Sequence, residues 1–166
     1  MQKPLAGKTV AVLVASGFEE VEMTEPQKAL LGLGATVKLV GPESLANGWH
    51  GAAWGHYFPV DAQIGTMLSS DYDMLLVPGG ARSITKLSQT AHTKRIVAAF
   101  VDDEKPVALV GNGVEVLVIA ERAQGMTVAT AEESRAALTA AGATVSDEAI
   151  VLSGNKPVFI DSEPGG

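Results

Sequence analysis

The segment Asp71–Gly80 has the sequence DYDMLLVPGG, in which a short apolar run ends at a Pro-Gly-Gly turn. The apolar run Met74–Val77 contains no polar residue, and such runs are typical of parallel strands that are buried on both faces. Proline and glycine directly after the run favour a sharp change of chain direction. The segment therefore predicts a buried strand that ends in a tight loop.

Two other segments combine a buried strand with a glycine-containing loop, and they are Thr9–Ala15 and Val107–Val110. Helical patterns separate the strands, so we expect right-handed βαβ units and a mostly parallel, doubly wound sheet. Sites in such sheets lie beyond the carboxyl ends of the strands. The candidate site is therefore expected in the loops over residues 16–24, 78–83 and 111–114.

Short sequence patterns also predict one helix start and two hairpins. Thr24 and Gln27 match a capping box around Pro26, which predicts a helix that begins at Thr24. Residues 42–57 are rich in glycine and aromatic side chains and predict a loop or hairpin. The tail Ala149–Ile160 predicts a second hairpin.

The amino-acid composition and net charge exclude several classes of protein. A chain of 166 residues with 46% hydrophobic residues can bury one sizeable core, so a single domain over residues 1–166 is expected. The net charge of −7 disfavours contact with the phosphate backbone of nucleic acids. No apolar run is long enough to cross a bilayer and no apolar signal segment is present, so a cytoplasmic protein without a membrane partner is expected. Because the chain has no cysteine, it cannot form disulfides, a thiolate nucleophile or thiolate metal ligands.

Four further motifs accompany Asp71–Gly80 in chain order. They are GFEEVE at Gly17–Glu22, FPVD at Phe58–Asp61, KPVALV at Lys105–Val110 and AAGA at Ala140–Ala143. Each motif alone is weak evidence, but the ordered set covers nearly the whole chain and resembles the DJ-1/PfpI family of the class I glutamine-amidotransferase-like superfamily. The resemblance implies a flavodoxin-like α/β fold, a three-layer sandwich around a mostly parallel, doubly wound sheet.

The resemblance also implies where the family's chemistry would lie. Most members carry a cysteine and then a histidine at a strand-to-helix elbow, with an acidic side chain in contact with the cysteine. By position, the cysteine slot is Gly111 and the histidine slot is Asn112. The resemblance makes Glu22 the acidic partner, with Glu19 close by, and places oxyanion-hole amides at the elbow and at Gly80. The chain therefore departs from the family pattern at the catalytic position itself.

Each of these residues allows two interpretations. Glycine at position 111 has two possible explanations. Either it relieves a backbone strain that the elbow no longer needs, or it keeps the turn and leaves space for a ligand. Glu22 either pairs with Asn112 or a ligand, or is a carboxylate near a helix start, where negative charge is favoured. Gly79 and Gly80 mark either a tight turn or an amide-lined pocket.

Glycine and asparagine at the elbow cannot supply a nucleophile, so we expect a non-catalytic family member. It would be a homodimer or higher oligomer with a stress-related or chaperone-like role, and its vestigial pocket would bind a small molecule or a protein. The pocket residues are Glu19, Glu22, Gly79, Gly80, Gly111 and Asn112. One alternative is a hydrolase, lyase or glyoxalase-like enzyme that uses Glu22 without cysteine. Another is a structural module similar to the C-terminal domain of large-subunit catalases.

The segment Trp49–Phe58 contains both tryptophans and two of the three histidines. It is expected either to form an aromatic interface between copies of the chain or to fold its rings onto the domain. His50 and His56 lack the i,i+4 spacing of a helical metal site, so neither a metal nor a cofactor is predicted. Glu19 and Glu20 are expected to be solvated.

Overall fold

A computed structural model describes residues 4–50, 53–129, 134–146, 150–152 and 157–160. The strands are β1 Thr9–Leu13, β2 Thr36–Gly41, β3 Leu45–Trp49, β4 Trp54–Pro59, β5 Ala62–Gln63, β6 Met74–Val77, β7 Val107–Val110, β8 Thr127–Val128, β9 Thr144–Val145, β10 Ile150–Leu152 and β11 Pro157–Ile160. The α-helices are α1 Glu20–Gly32, α2 Ala81–Ser88, α3 Ala91–Asp102, α4 Val116–Ile119 and α5 Arg135–Ala140. Turns of 3₁₀ helix cover Ser69–Asp71 and Gly111–Glu115.

The main sheet of the described residues contains seven strands in the order β10-β11-β7-β6-β1-β2-β5. Its neighbouring strands are parallel except β10 and β11, which are antiparallel. This topology is the mostly parallel, doubly wound sheet that the sequence predicts. Because β6 lies between β1 and β7, the carboxyl ends of the three predicted buried strands are neighbours.

Side chains of the central strands alternate between two hydrophobic layers. Ala11 and Leu13 of β1 belong to a cluster that includes buried residues of α2, α3, α4 and α5. Val10 and Val12 belong to the opposite cluster, which includes Met23 of α1. Burial of apolar surface stabilises the folded state by about 25 cal/mol per Å². In this chain, apolar surface is buried on both faces of the sheet. The predicted three-layer sandwich is confirmed.

Helix α1 begins at Glu20, so the predicted start at Thr24 is wrong. Pro26 lies inside the helix and not in its first turn. The start is set by tertiary contacts, since the N–H of Glu19 donates a hydrogen bond to the carbonyl oxygen of Gly79 at 2.8 Å. A local capping pattern contains no information about that partner.

Both predicted hairpins are present. β3 and β4 pair antiparallel within residues 45–59, with an irregularity between Asn47 and Trp49. β10 and β11 pair antiparallel in the tail, and the turn between them lies outside the described residues. In the part of the chain that the structure describes, no helix is both long and apolar enough to cross a membrane.

Candidate functional site

The loops that follow β1 and β6 meet through close backbone contacts. Gly80 has a φ of +119°, and a Cβ atom there would lie 2.4 Å from the carbonyl oxygen of Gly17. The same Cβ would lie 2.9 Å from the backbone nitrogen of Glu19. Glycine alone combines this φ with so close an approach. The loop after β6 is therefore the predicted tight turn, and it lies directly against the start of α1.

Two side chains accept hydrogen bonds from the N–H groups of this turn. The N–H of Gly79 donates to Oε1 of Glu22 at 2.7 Å, and the N–H of Gly80 donates to Oδ1 of Asn112 at 2.6 Å. A Cβ on Gly79 would lie 2.3 Å from Oδ1 of Asn112 and 2.6 Å from Oε1 of Glu22. The amide that the resemblance places in an oxyanion hole is therefore bonded to the chain's own asparagine.

The elbow after β7 has a left-handed backbone at Gly111, the position to which the resemblance assigns the cysteine. Gly111 has a φ of +56° and starts the 3₁₀ turn that leads into α4. Residues 111–114 are buried, and Asn112 is only 7% exposed. The amide side chain of Asn112 thus points into the protein and holds the adjacent loop.

The structure brings Glu22, Gly79, Gly80 and Asn112 into direct contact, with Gly111 adjoining them in the chain. Glu19 reaches the group through its backbone N–H. The hydrogen bond from Gly80 to Asn112 is not foreseeable from the sequence. The residue type gives no signal for this bond, because the two partners lie 32 positions apart.

A second polar cluster joins the β3–β4 hairpin to the first residue of α1. Glu20 is only 5% exposed, so its predicted solvation is wrong, and its carboxylate contacts His50 and His56. Burial alone would raise the pKa of Glu20. The hydrogen bonds from the backbone and ring of His56 and the charges of the two histidines outweigh burial and lower that pKa below its usual range.

The aromatic segment folds part of its ring surface onto the domain, and its predicted role as an interface between copies stays a prediction. Trp49 and Trp54 pack edge to face with ring centroids 5.1 Å apart, and the guanidinium of Arg82 lies 4.3 Å from the Trp49 ring. These rings therefore fold onto α2. Trp54 and Tyr57 nevertheless remain 51% and 67% exposed, and Leu45 on the paired strand is 53% exposed.

Residues 8–162 match the model of the DJ-1/PfpI family. General stress protein 18 of Bacillus subtilis is 33% identical over 148 residues, which cover 88% of this chain and 84% of that protein. The B. subtilis protein named "Putative cysteine protease YraA" is 33% identical over 150 residues, which cover 89% of this chain and 86% of that protein. A two-domain Anabaena variabilis protein with DJ-1/ThiJ/PfpI-like and ferritin-like domains shares the fold at a TM-score of 0.85 and 24% identity. That match covers 93% of this chain and 43% of the Anabaena chain.

Replacement of Asn112 by alanine tests the bond between the elbow and the turn. Asn112→Ala leaves the buried N–H of Gly80 without its acceptor, so we expect the free energy of unfolding to fall by about 1–3 kcal/mol. Urea denaturation measures this change. The control is Gln89→Ala, which removes an exposed amide at the end of α2 and is expected to change stability by less than about 0.5 kcal/mol. Equal stability of the two variants would contradict the assigned role of Asn112.

Proposed function

Because the chain belongs to the DJ-1/PfpI family, we propose that it is a member without catalytic activity, which acts by binding. One observation carries the proposal. Gly111 occupies the elbow where the family places its cysteine, and the neighbouring Asn112 accepts the hydrogen bond of the Gly80 amide. The chain thus retains the turn of a nucleophile elbow and lacks the nucleophile.

The geometry argues against acyl-transfer chemistry at this site. The family's covalent route needs a thiolate, and the side chains that meet here are the Asn112 amide, which is no nucleophile, and the Glu22 carboxylate, whose Oε1 accepts the hydrogen bond of the Gly79 N–H. An oxyanion hole needs N–H groups directed at the substrate oxygen. In this chain the N–H groups of Gly79 and Gly80 are directed at Glu22 and Asn112, so they stabilise the loop and not a developing charge.

A binding role agrees with the surface of the β3–β4 hairpin. The exposed side chains of Leu45, Trp54 and Tyr57 provide apolar area that is suited to self-association. We therefore propose a cytoplasmic homodimer or higher oligomer in which this hairpin forms the interface. The name of the relative General stress protein 18 supports a stress-related role. We propose a small molecule or a protein as the ligand.

Activity assays test the absence of catalysis. The purified protein is incubated with methylglyoxal, glutamine and peptide substrates, and we expect no turnover above the buffer rate. Glu22→Gln is expected to behave in the same way, because glutamine keeps an acceptor oxygen for the Gly79 amide. Turnover by the wild type that Glu22→Gln abolishes would contradict the proposal and would identify a cysteine-independent enzyme that uses this carboxylate.

Multi-angle light scattering tests the proposed assembly. We expect the wild type to be a dimer or larger at micromolar concentration. Tyr57→Lys places a charge in the proposed apolar interface and should shift the population towards monomer. Leu68→Lys is the control, since Leu68 is 58% exposed and lies outside the hairpin. A monomeric wild type, or equal dissociation of both variants, would refute the hairpin interface.

A further inference from the structure

Three potential metal ligands converge where the β3–β4 hairpin meets the start of α1. Nε2 of His50 lies 2.6 Å from Oε2 of Glu20, and Nδ1 of His56 lies 3.1 Å from the same oxygen. One ligand atom from each of the three residues can be chosen so that all lie within 4.8 Å of one another. Two imidazole nitrogens thus point at one carboxylate oxygen.

Two glycines make room for this convergence. A Cβ on Gly48 would lie 2.7 Å from Oε1 of Glu20. A Cβ on Gly55, on the paired strand, would lie 2.7 Å from the same oxygen and 2.4 Å from Cδ2 of His50. The backbone N–H of His56 donates to Oε1 of Glu20 at 2.8 Å and fixes the carboxylate. The hairpin therefore has a gap into which the carboxylate fits.

The charge balance of this cluster favours a cation. The side chain of Glu20 is 7% exposed, and a buried carboxylate needs a compensating positive charge. Among the described residues, the basic side chains that pair with Glu20 are those of His50 and His56. An imidazole is cationic only when it is protonated, and a neutral imidazole offers a lone pair to a metal. A divalent ion would satisfy the carboxylate and both lone pairs together.

We propose that Glu20, His50 and His56 bind a divalent transition-metal ion, with Zn²⁺ as the ion of first choice. Two nitrogen ligands and one carboxylate oxygen are a donor set that Zn²⁺ accepts at about 2.0–2.2 Å. Tetrahedral ligands at that distance lie about 3.4 Å apart, so the distance from Nε2 of His50 to Oε2 of Glu20 has to widen by less than about 1 Å. The histidine side chains are 53% and 77% exposed, so they are accessible and solvent can supply the remaining coordination positions.

A bound ion would clamp the hairpin to α1. Glu20 is the first residue of that helix, and the contacts of His50 and His56 with it span the boundary between β3–β4 and α1. The ion would therefore stabilise the hairpin that carries the exposed Trp54 and Tyr57. This proposal does not depend on the missing cysteine or on the state of the elbow.

Zinc titration of the tag-free, EDTA-treated chain tests the proposal. Calorimetry at pH 7.5 should show one Zn²⁺ per chain with an affinity in the micromolar range or tighter. His50→Asn and His56→Asn should each weaken binding at least tenfold, whereas His92→Asn, which changes the exposed third histidine, should not. Zn²⁺ should also raise the Tm of the wild type and of His92→Asn, and leave that of the other two variants unchanged.

Two results would overturn the zinc site. The first is the absence of Zn²⁺ binding to the wild type, which would make the cluster a histidine–carboxylate ion pair only. The second is equal Zn²⁺ affinity in the wild type, His50→Asn and His56→Asn. The Tm values in EDTA verify that each variant is folded, and neither result bears on the proposed lack of catalysis.

Discussion

The candidate site depends on the close backbone approach between the turn after β6 and the start of α1. Gly80 can lie against Gly17 and Glu19 only because it has no Cβ atom. At that distance the amides of Gly79 and Gly80 need acceptors, since buried N–H groups without partners are costly. Glu22 supplies one acceptor and Asn112 the other. The three loops are thereby joined by bonds within the protein.

These bonds and the glycine at position 111 together define the conformation of the elbow after β7. Gly111 adopts a φ of +56° without the steric cost that a β-branched side chain would incur. Asn112 uses its side chain to hold the neighbouring loop, since its Oδ1 accepts the hydrogen bond of the Gly80 N–H. Gly111 and Asn112 therefore each have a structural role in the elbow and the loop beside it. The proposed zinc cluster adds a second connection to α1, from the hairpin side.

The fold could be predicted from the sequence because its signals are local. The apolar runs Thr9–Ala15, Met74–Val77 and Val107–Val110 identify buried strands, and the glycine-containing loops after them identify the edge of the sheet where the candidate site lies. The start of α1 and the bond from Gly80 to Asn112 could not be predicted, because tertiary contacts determine them. The same holds for Glu20, whose hairpin partner His56 lies 36 positions away. Local patterns contain no information about partners so distant in the chain.

Hydrogen exchange at the amides of Gly79 and Gly80 tests the central claim, that side chains of the chain itself occupy the amides of the candidate site. NMR exchange rates for these two amides are compared with the rate for Gly65, an exposed loop glycine. If Glu22 and Asn112 hold the amides of Gly79 and Gly80, those two amides should exchange about 100-fold more slowly than the amide of Gly65. Their exchange would require the hydrogen bonds to open first. Rates equal to that of Gly65 would show that the amides are open to solvent or a ligand, and would contradict the account.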